Sequence, residues 1–243
     1  TDGRRLVTLV TPDIGAGPVN IVVRDLPSPQ DLPDASDASD TSGHPLFPTL
    51  AVSPYSVVFA NRRFLLSEAQ SYGSLLHIEK ETSRTVFRRN LKIVEEFISD
   101  ESHPKSLAFL LDPARERNFR TAFDRAFVAR IKDGAARMFS AAGIRALAGC
   151  GYGLTPSGDD FIAGMLIGLN VLQALGDRNR RPLARRLFAA AEGANHLSNS
   201  CLRLARDGRV TERMQALISA LSVRDSSGLV RMTRSVMAAG ETS

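Results

Sequence analysis

The sequence predicts an α+β protein: a β-rich N-terminal part, residues 1–73, followed by a helical C-terminal part, residues 74–243, built around one central buried helix. Three observations carry this. Short β-branched runs fill the first part. Apolar residues recur at helical spacing after Gly73. Finally, Phe161–Leu175 is apolar almost all round, broken only by Asn170 and Gln173, which marks a helix inside a core rather than on a surface.

Taken in order, Leu6–Val10 and Val19–Val23 read as strands, and the turn-rich PDIGAGP between them reads as a hairpin connection. Residues 27–45 form an acidic loop rich in Pro, Asp and Ser with nothing to bury. Strands follow at Leu50–Val52, Ser56–Ala60 and Phe64–Leu66. Helical spacing runs from Leu75 to Ser99. Phe119, Phe123 and Phe127 recur every four residues, which predicts a packed stripe on one helix. Ala135–Leu147 continues as helix, interrupted near Gly143. Within the central run, Gly164 and Gly168 share a face, where each costs roughly 1 kcal/mol of helix propensity. Close approach of a helix or a ligand would account for them. Further helices are expected at 183–192, 198–206, 211–221 and 227–239.

At 243 residues the chain is long enough for a substantial core. It has no apolar run of the roughly 18 residues a membrane span needs and no apolar leader, so a cytoplasmic protein is expected. The net charge is +5, with a sequence pI near 9.7. The first fifty residues hold more Asp than Arg and no Lys, so the basic excess lies further on. Its densest stretch, Arg178 to Arg186, lacks interleaved aromatics and reads as the outer face of a helix start, not a nucleic-acid surface. Cys150 and Cys201 form neither a C-x-x-C pair nor a disulfide framework. His44, His77, His103 and His196 show no metal spacing, and no metal is expected. His196, beside Asn195 and Ser198, is the one histidine placed near a second candidate helix start. The sequence assigns no cofactor.

The informative segment is Gly149–Asp160, GCGYGLTPSGDD, which runs directly into the buried helix. Its glycines permit positive φ and close approach to a ligand. Either Thr155 caps the helix with Pro156 at the first position, or Ser157 caps it with Asp160 in a capping-box position. In both cases a helix N-terminus with free N–H groups suits an anion. Adjacent helical residues point about 100° apart, so Asp159 and Asp160 should divide into one structural and one functional carboxylate. With Ser157 as cap, Asp160 is structural and Asp159 functional; with Thr155 the roles swap. The competing reading has both carboxylates simply satisfying first-turn N–H groups. Asp159 and Asp160 are thus the candidate catalytic residues. Gly15, Gly17, Gly151, Gly153, Thr155, Ser157 and Gly158 are candidate substrate-binding residues, in a cleft where the Gly15–Pro18 turn meets this loop.

The stretch GYGLTPSGDDFIAG resembles the signature of the family that includes the third subunit of the oxamate carbamoyltransferase of allantoin degradation. LVTLVTPDIGAGPVNIVV and NHLSNSCLRLARDG are similar to that family's opening strands and a later helix start. The resemblance implies a subunit working with two larger partners, one of them similar to acyl-CoA ligases. It also implies an overall exchange of a carbamoyl group between phosphate and oxamate in purine catabolism. The expectation is therefore a carbamoyl- or acyl-transferase subunit that binds a small anionic substrate or phosphate at residues 151–160. The alternative is a non-catalytic module in which the same loop shapes an interface.

Overall fold

The computed structural model describes residues 7–12, 14–23, 51–59, 62–67, 69–151 and 155–240; of Ala239 and Gly240 it describes the backbone alone. The acidic segment 27–45 lies outside these residues. The N-terminal strands are short and the chain from residue 84 onward is helical, so the α+β architecture holds.

Strands β1 (Thr8–Val10) and β2 (Asn20–Val22) pair in parallel, Thr8 opposite Asn20. The hairpin expectation is therefore corrected. The reason lies in the connection, which is anchored elsewhere instead of turning tightly. Glu212 N–H donates to the Ala16 carbonyl at 3.0 Å, and Gly15 sits at φ +84. The chain goes out to residue 212 and returns to the end from which β1 started, so β2 runs the same way. Strands β3 (Ala51–Val52), β4 (Ser56–Phe59) and β5 (Arg62–Leu65) form an antiparallel sheet in chain order. Pro54 shapes the first turn, with the Ser53 hydroxyl accepting from Ser56 N–H at 2.9 Å. Val57 in β4 is fully buried.

Helix α1 spans Arg84–Glu101, later than Leu75. Residues 74–76 use their backbone groups against 208–210, through Val210 N–H to Ser74 O and Leu76 N–H to Gly208 O. Ser83 then caps the helix by accepting from Val86 N–H. Two 3-10 turns, Leu107–Leu110 and Pro113–Asn118, lead to α2 (Ala122–Ala136). The phenylalanine stripe is only partly realised. Phe119 precedes the helix and Phe123 is exposed, whereas Phe109, Phe119 and Phe127 form a buried triad with centroids 5.1 to 6.4 Å apart. The interruption before α3 (Ala141–Leu147) comes at Arg137–Ser140. Gly143 lies inside α3, where a Cβ would stand 2.2 Å from the Arg137 carbonyl oxygen.

The central helix is α4 (Ser157–Ala174), followed by α5 (Arg181–Ala191), α6 (His196–Arg206), α7 (Glu212–Ser222) and α8 (Leu229–Gly240). Ile162 and Leu166 are fully buried in the main core against α3, α5 and α6. Asn170 is held on α6 by donating to Ala205 O at 3.0 Å. A second, smaller core joins α1, α7 and α8 around Leu229. Buried Asn90 locks α1 to the end of α7 by donating to Leu221 O and Val223 O.

On its other side, among the described residues, α4 is left open between α1 and α7. It floors an apolar groove of about 510 Å³, walled by Phe87, Leu91, Leu217 and Leu221. Gly164 and Gly168 lie on that floor, and a Cβ at either would meet nothing within 4 Å. The close approach expected of another helix is absent among the described residues. Replacing either glycine by alanine should therefore stabilise the fold, by up to about 1 kcal/mol each, since helix propensity is gained without a clash. Denaturant unfolding of the two variants checks this. A loss of stability would show that something does occupy the groove.

Candidate functional site

Gly149–Gly151 and the start of α4 are folded tightly onto the end of α3. Gly149 takes φ +66 and Gly151 φ +128, both left-handed values that favour glycine. Cys150 N–H donates to Leu147 O at 3.0 Å, and Gly158 N–H returns to Cys150 O at 2.7 Å. A Cβ on Gly151 would stand 2.6 Å from Ser157 N, and one on Gly158 2.0 Å from Leu147 O. Close packing accounts for glycine at positions 151 and 158, and the left-handed backbone accounts for it at positions 149 and 151. Tyr152, Gly153 and Leu154 lie outside the described residues.

The capping expectation is corrected. Pro156 occupies the N-cap of α4, with no side-chain cap, so neither Thr155 nor Ser157 performs that role. The N–H groups of Asp159 and Asp160 both go to Pro156 O, at 2.8 and 3.1 Å. Together with the Gly158 bond to Cys150, this spends most of the first-turn donors internally. Ser157 sits at the first position of the helix instead.

The two carboxylates differ in their surroundings. Asp159 is buried, and one of its oxygens accepts from Gly149 N–H at 2.8 Å, tying the start of α4 to the end of α3. Asp160 is exposed and does not return to the cap. Protein crowding on one side raises its carboxyl to about 6; a hydrogen bond from Thr155 opposes the rise and the nearby Asp159 charge adds to it. Cys201 on α6 lies close enough to be raised by burial first and by Asp160 second. Burial likewise pushes up the Cys150 thiol, which disfavours a thiolate nucleophile there.

Gly15 and Gly17 are placed elsewhere. Their non-local neighbours are Thr211, Glu212 and Arg213 at the start of α7. The α4–α6 pair separates the two turns: Asp159 shares a recess with Ser198, whereas Asn170, about 16 Å further along α4, meets Ala205 near the α7 side. The Gly15–Pro18 turn thus lies at the other end of these helices from the Asp159 end.

What sequence reading missed is that recess. It has a volume of about 430 Å³ and lies between the end of α3, the start of α4 and the turn from α5 to α6. Arg145, Gly149, Asp159, Glu192, Ser198 and Asn199 line it. Asn195 caps α6 by accepting from Leu197 and Ser198 N–H, and Asn199 locks the turn through both Gly193 N–H and Gly193 O. The cap was visible in the N-H-L-S pattern, but the burial of Ser198 was not. His196 is exposed at the helix start. Among the described residues no group of His, Cys, Asp and Glu could hold a metal ion, and no helix is long and apolar enough to cross a membrane.

Comparison with known proteins places this segment in context. Residues 147–243 match the family model of oxamate carbamoyltransferase subunit AllH. The match takes in the whole Gly149–Asp160 segment and α4 to α8, and leaves β1–β5, α1, α2 and almost all of α3 outside it. No curated protein and no solved structure matches the chain. Through residues 147–243, which hold Asp159, Asp160 and the lining of the recess apart from Arg145, the chain resembles the oxamate carbamoyltransferase subunit AllH family.

Proposed function

We propose that this chain is a cytoplasmic subunit of an oxamate carbamoyltransferase-type complex acting in allantoin degradation. In this reading its Thr155–Asp160 segment faces a small anionic substrate, and its larger partners include one similar to acyl-CoA ligases. The observation that supports it best is the family match across this segment, in which Asp160 is the carboxylate not consumed by folding.

The chemistry suits a carboxylate whose affinity for protons is raised. A carbamoyl acceptor with an amide N–H₂ must lose a proton as its nitrogen attacks. A group titrating near the working pH can accept it. Asp160 has that character, and Thr155 orients it. The α4 N-terminus offers few oxyanion donors, because the Gly158, Asp159 and Asp160 N–H groups are already committed. Charge neutralisation then falls to side chains or to a partner subunit. That same commitment favours the second reading, a non-catalytic module whose loop shapes an interface.

The test is co-purification with the proteins encoded beside it, followed by assay of carbamoyl transfer between carbamoyl phosphate and oxamate. Turnover that requires this chain and falls in Asp160 variants supports the catalytic reading. Turnover that requires the chain but ignores Asp160 leaves the non-catalytic module. A complete reaction without the chain overturns both.

A further inference from the structure

The recess at the α5–α6 turn contains a group that folding leaves unsatisfied. Ser198 is 2% exposed, and its hydroxyl has no hydrogen-bond partner among the described residues. A buried hydroxyl without a partner costs on the order of 1–3 kcal/mol, so its retention calls for a reason. The neighbours supply one. Arg145, exposed at the rim, forms no ion pair among the described residues. Asp159 gives one oxygen to Gly149 N–H and has a second with no partner among them. Asn199 and Asn195 are occupied in holding the turn, which fixes the wall that carries Ser198.

We infer that this recess binds a small carboxylate that also carries an amide N–H₂, with Arg145 on the carboxylate, the Ser198 hydroxyl donating to an oxygen of the ligand and the second Asp159 oxygen accepting from the amide. Two carboxylates, Asp159 and Glu192, against the single cation of the lining disfavour a multiply charged phosphate, and they favour a ligand with N–H donors of its own. The oxamate-like identity of the ligand rests on the carbamoyltransferase reading; the unsatisfied hydroxyl and its neighbours do not. Asp159 thereby links the recess to the loop: the residue that seats α4 on α3 also looks into the cavity, one helical position from Asp160.

The experiment is calorimetric titration of the full chain, and of the reconstituted complex, with oxamate and with pyruvate, which keeps the carbonyl and carboxylate but has a methyl group in place of the amide N–H₂. Oxamate should bind at least about tenfold more tightly than pyruvate, the scale of one buried hydrogen bond. Ser198→Ala and Arg145→Gln should each weaken oxamate by about tenfold or more. Ser198→Ala should melt no lower than the parent without ligand, because it removes only an unpartnered hydroxyl; a merely structural serine would lower the melting temperature instead. Equal affinity for pyruvate, unchanged affinity in both variants, or no oxamate binding to chain or complex would each overturn the site. If oxamate binds as described but the complex transfers no carbamoyl group, the recess stands and the assembly reading falls. If the complex turns over oxamate while both variants keep full affinity, the assembly reading stands and the recess falls.

Discussion

Gly158→Ala is expected to leave little folded protein. The added methyl would stand 2.0 Å from Leu147 O and 3.1 Å from Cys150 O, and both obstacles are backbone atoms. Overpacking costs about 1–3 kcal/mol even where side chains can move aside. Here relief requires α4 to lift off the end of α3. That would stretch the 2.7 Å bond from Gly158 N–H to Cys150 O and the 2.8 Å bond from Gly149 N–H to Asp159. The cost should therefore exceed about 3 kcal/mol, a large share of the roughly 5–15 kcal/mol a domain has. Soluble yield and thermal unfolding measure it, with Gly164→Ala as the control that adds the same methyl to the same helix in open space. A Gly158→Ala protein that melts like its parent would mean that this helix is not seated as described.

That contrast also shows which features were legible from residues alone. Helical spacing and the apolar run located α4 and, to within a few residues, α5 to α8, because burial and periodicity are written in composition. Glycine was legible as a requirement but not as a cause. Gly158, read as a ligand contact, is needed for packing, and Gly164, read as a contact, lies open. The failures share an origin in long-range pairing. Leu75 and Leu76 are extended because 208–210 offers them backbone partners, and β2 runs parallel to β1 because Glu212 holds the connection. Neither partner is local, so neither constraint appears in a window of sequence. The roles of Asp159 and Asp160 depended on which residue caps α4. Pro156, with no side chain able to cap, took the position from both candidates. Ser198 was invisible for the same kind of reason: a serine in a helix start looks exposed until α3 and α5 are packed around it.

Asp160→Asn should abolish most transfer activity in the reconstituted complex while leaving the fold at least as stable. Loss of a general base typically costs about 10²–10⁴ in rate, and the isosteric amide keeps the shape and the contact with Thr155. The pH dependence carries the sharper signature. The Asp160 carboxyl is raised from 3.8 to about 6 in the folded chain. Between those values the unfolded chain has released the proton and the folded chain has not, so this group makes stability fall as pH rises. The penalty is absent below about pH 4 and complete above about pH 6. Asn carries no such penalty: the variant should melt higher than its parent at neutral pH, and the two curves should converge towards about pH 4. Turnover should move oppositely, rising in the parent as Asp160 ionises through about pH 6 and staying low and flat in the variant. Asp159→Ala separates the two carboxylates, because it strands Gly149 N–H and should cost about 1–3 kcal/mol of stability at every pH where the parent is folded. Melting curves and turnover measured over the same pH range decide the matter. An Asp160→Asn complex with the parent's rate and the parent's pH profile would remove Asp160 from the chemistry and leave the segment a device for seating α4.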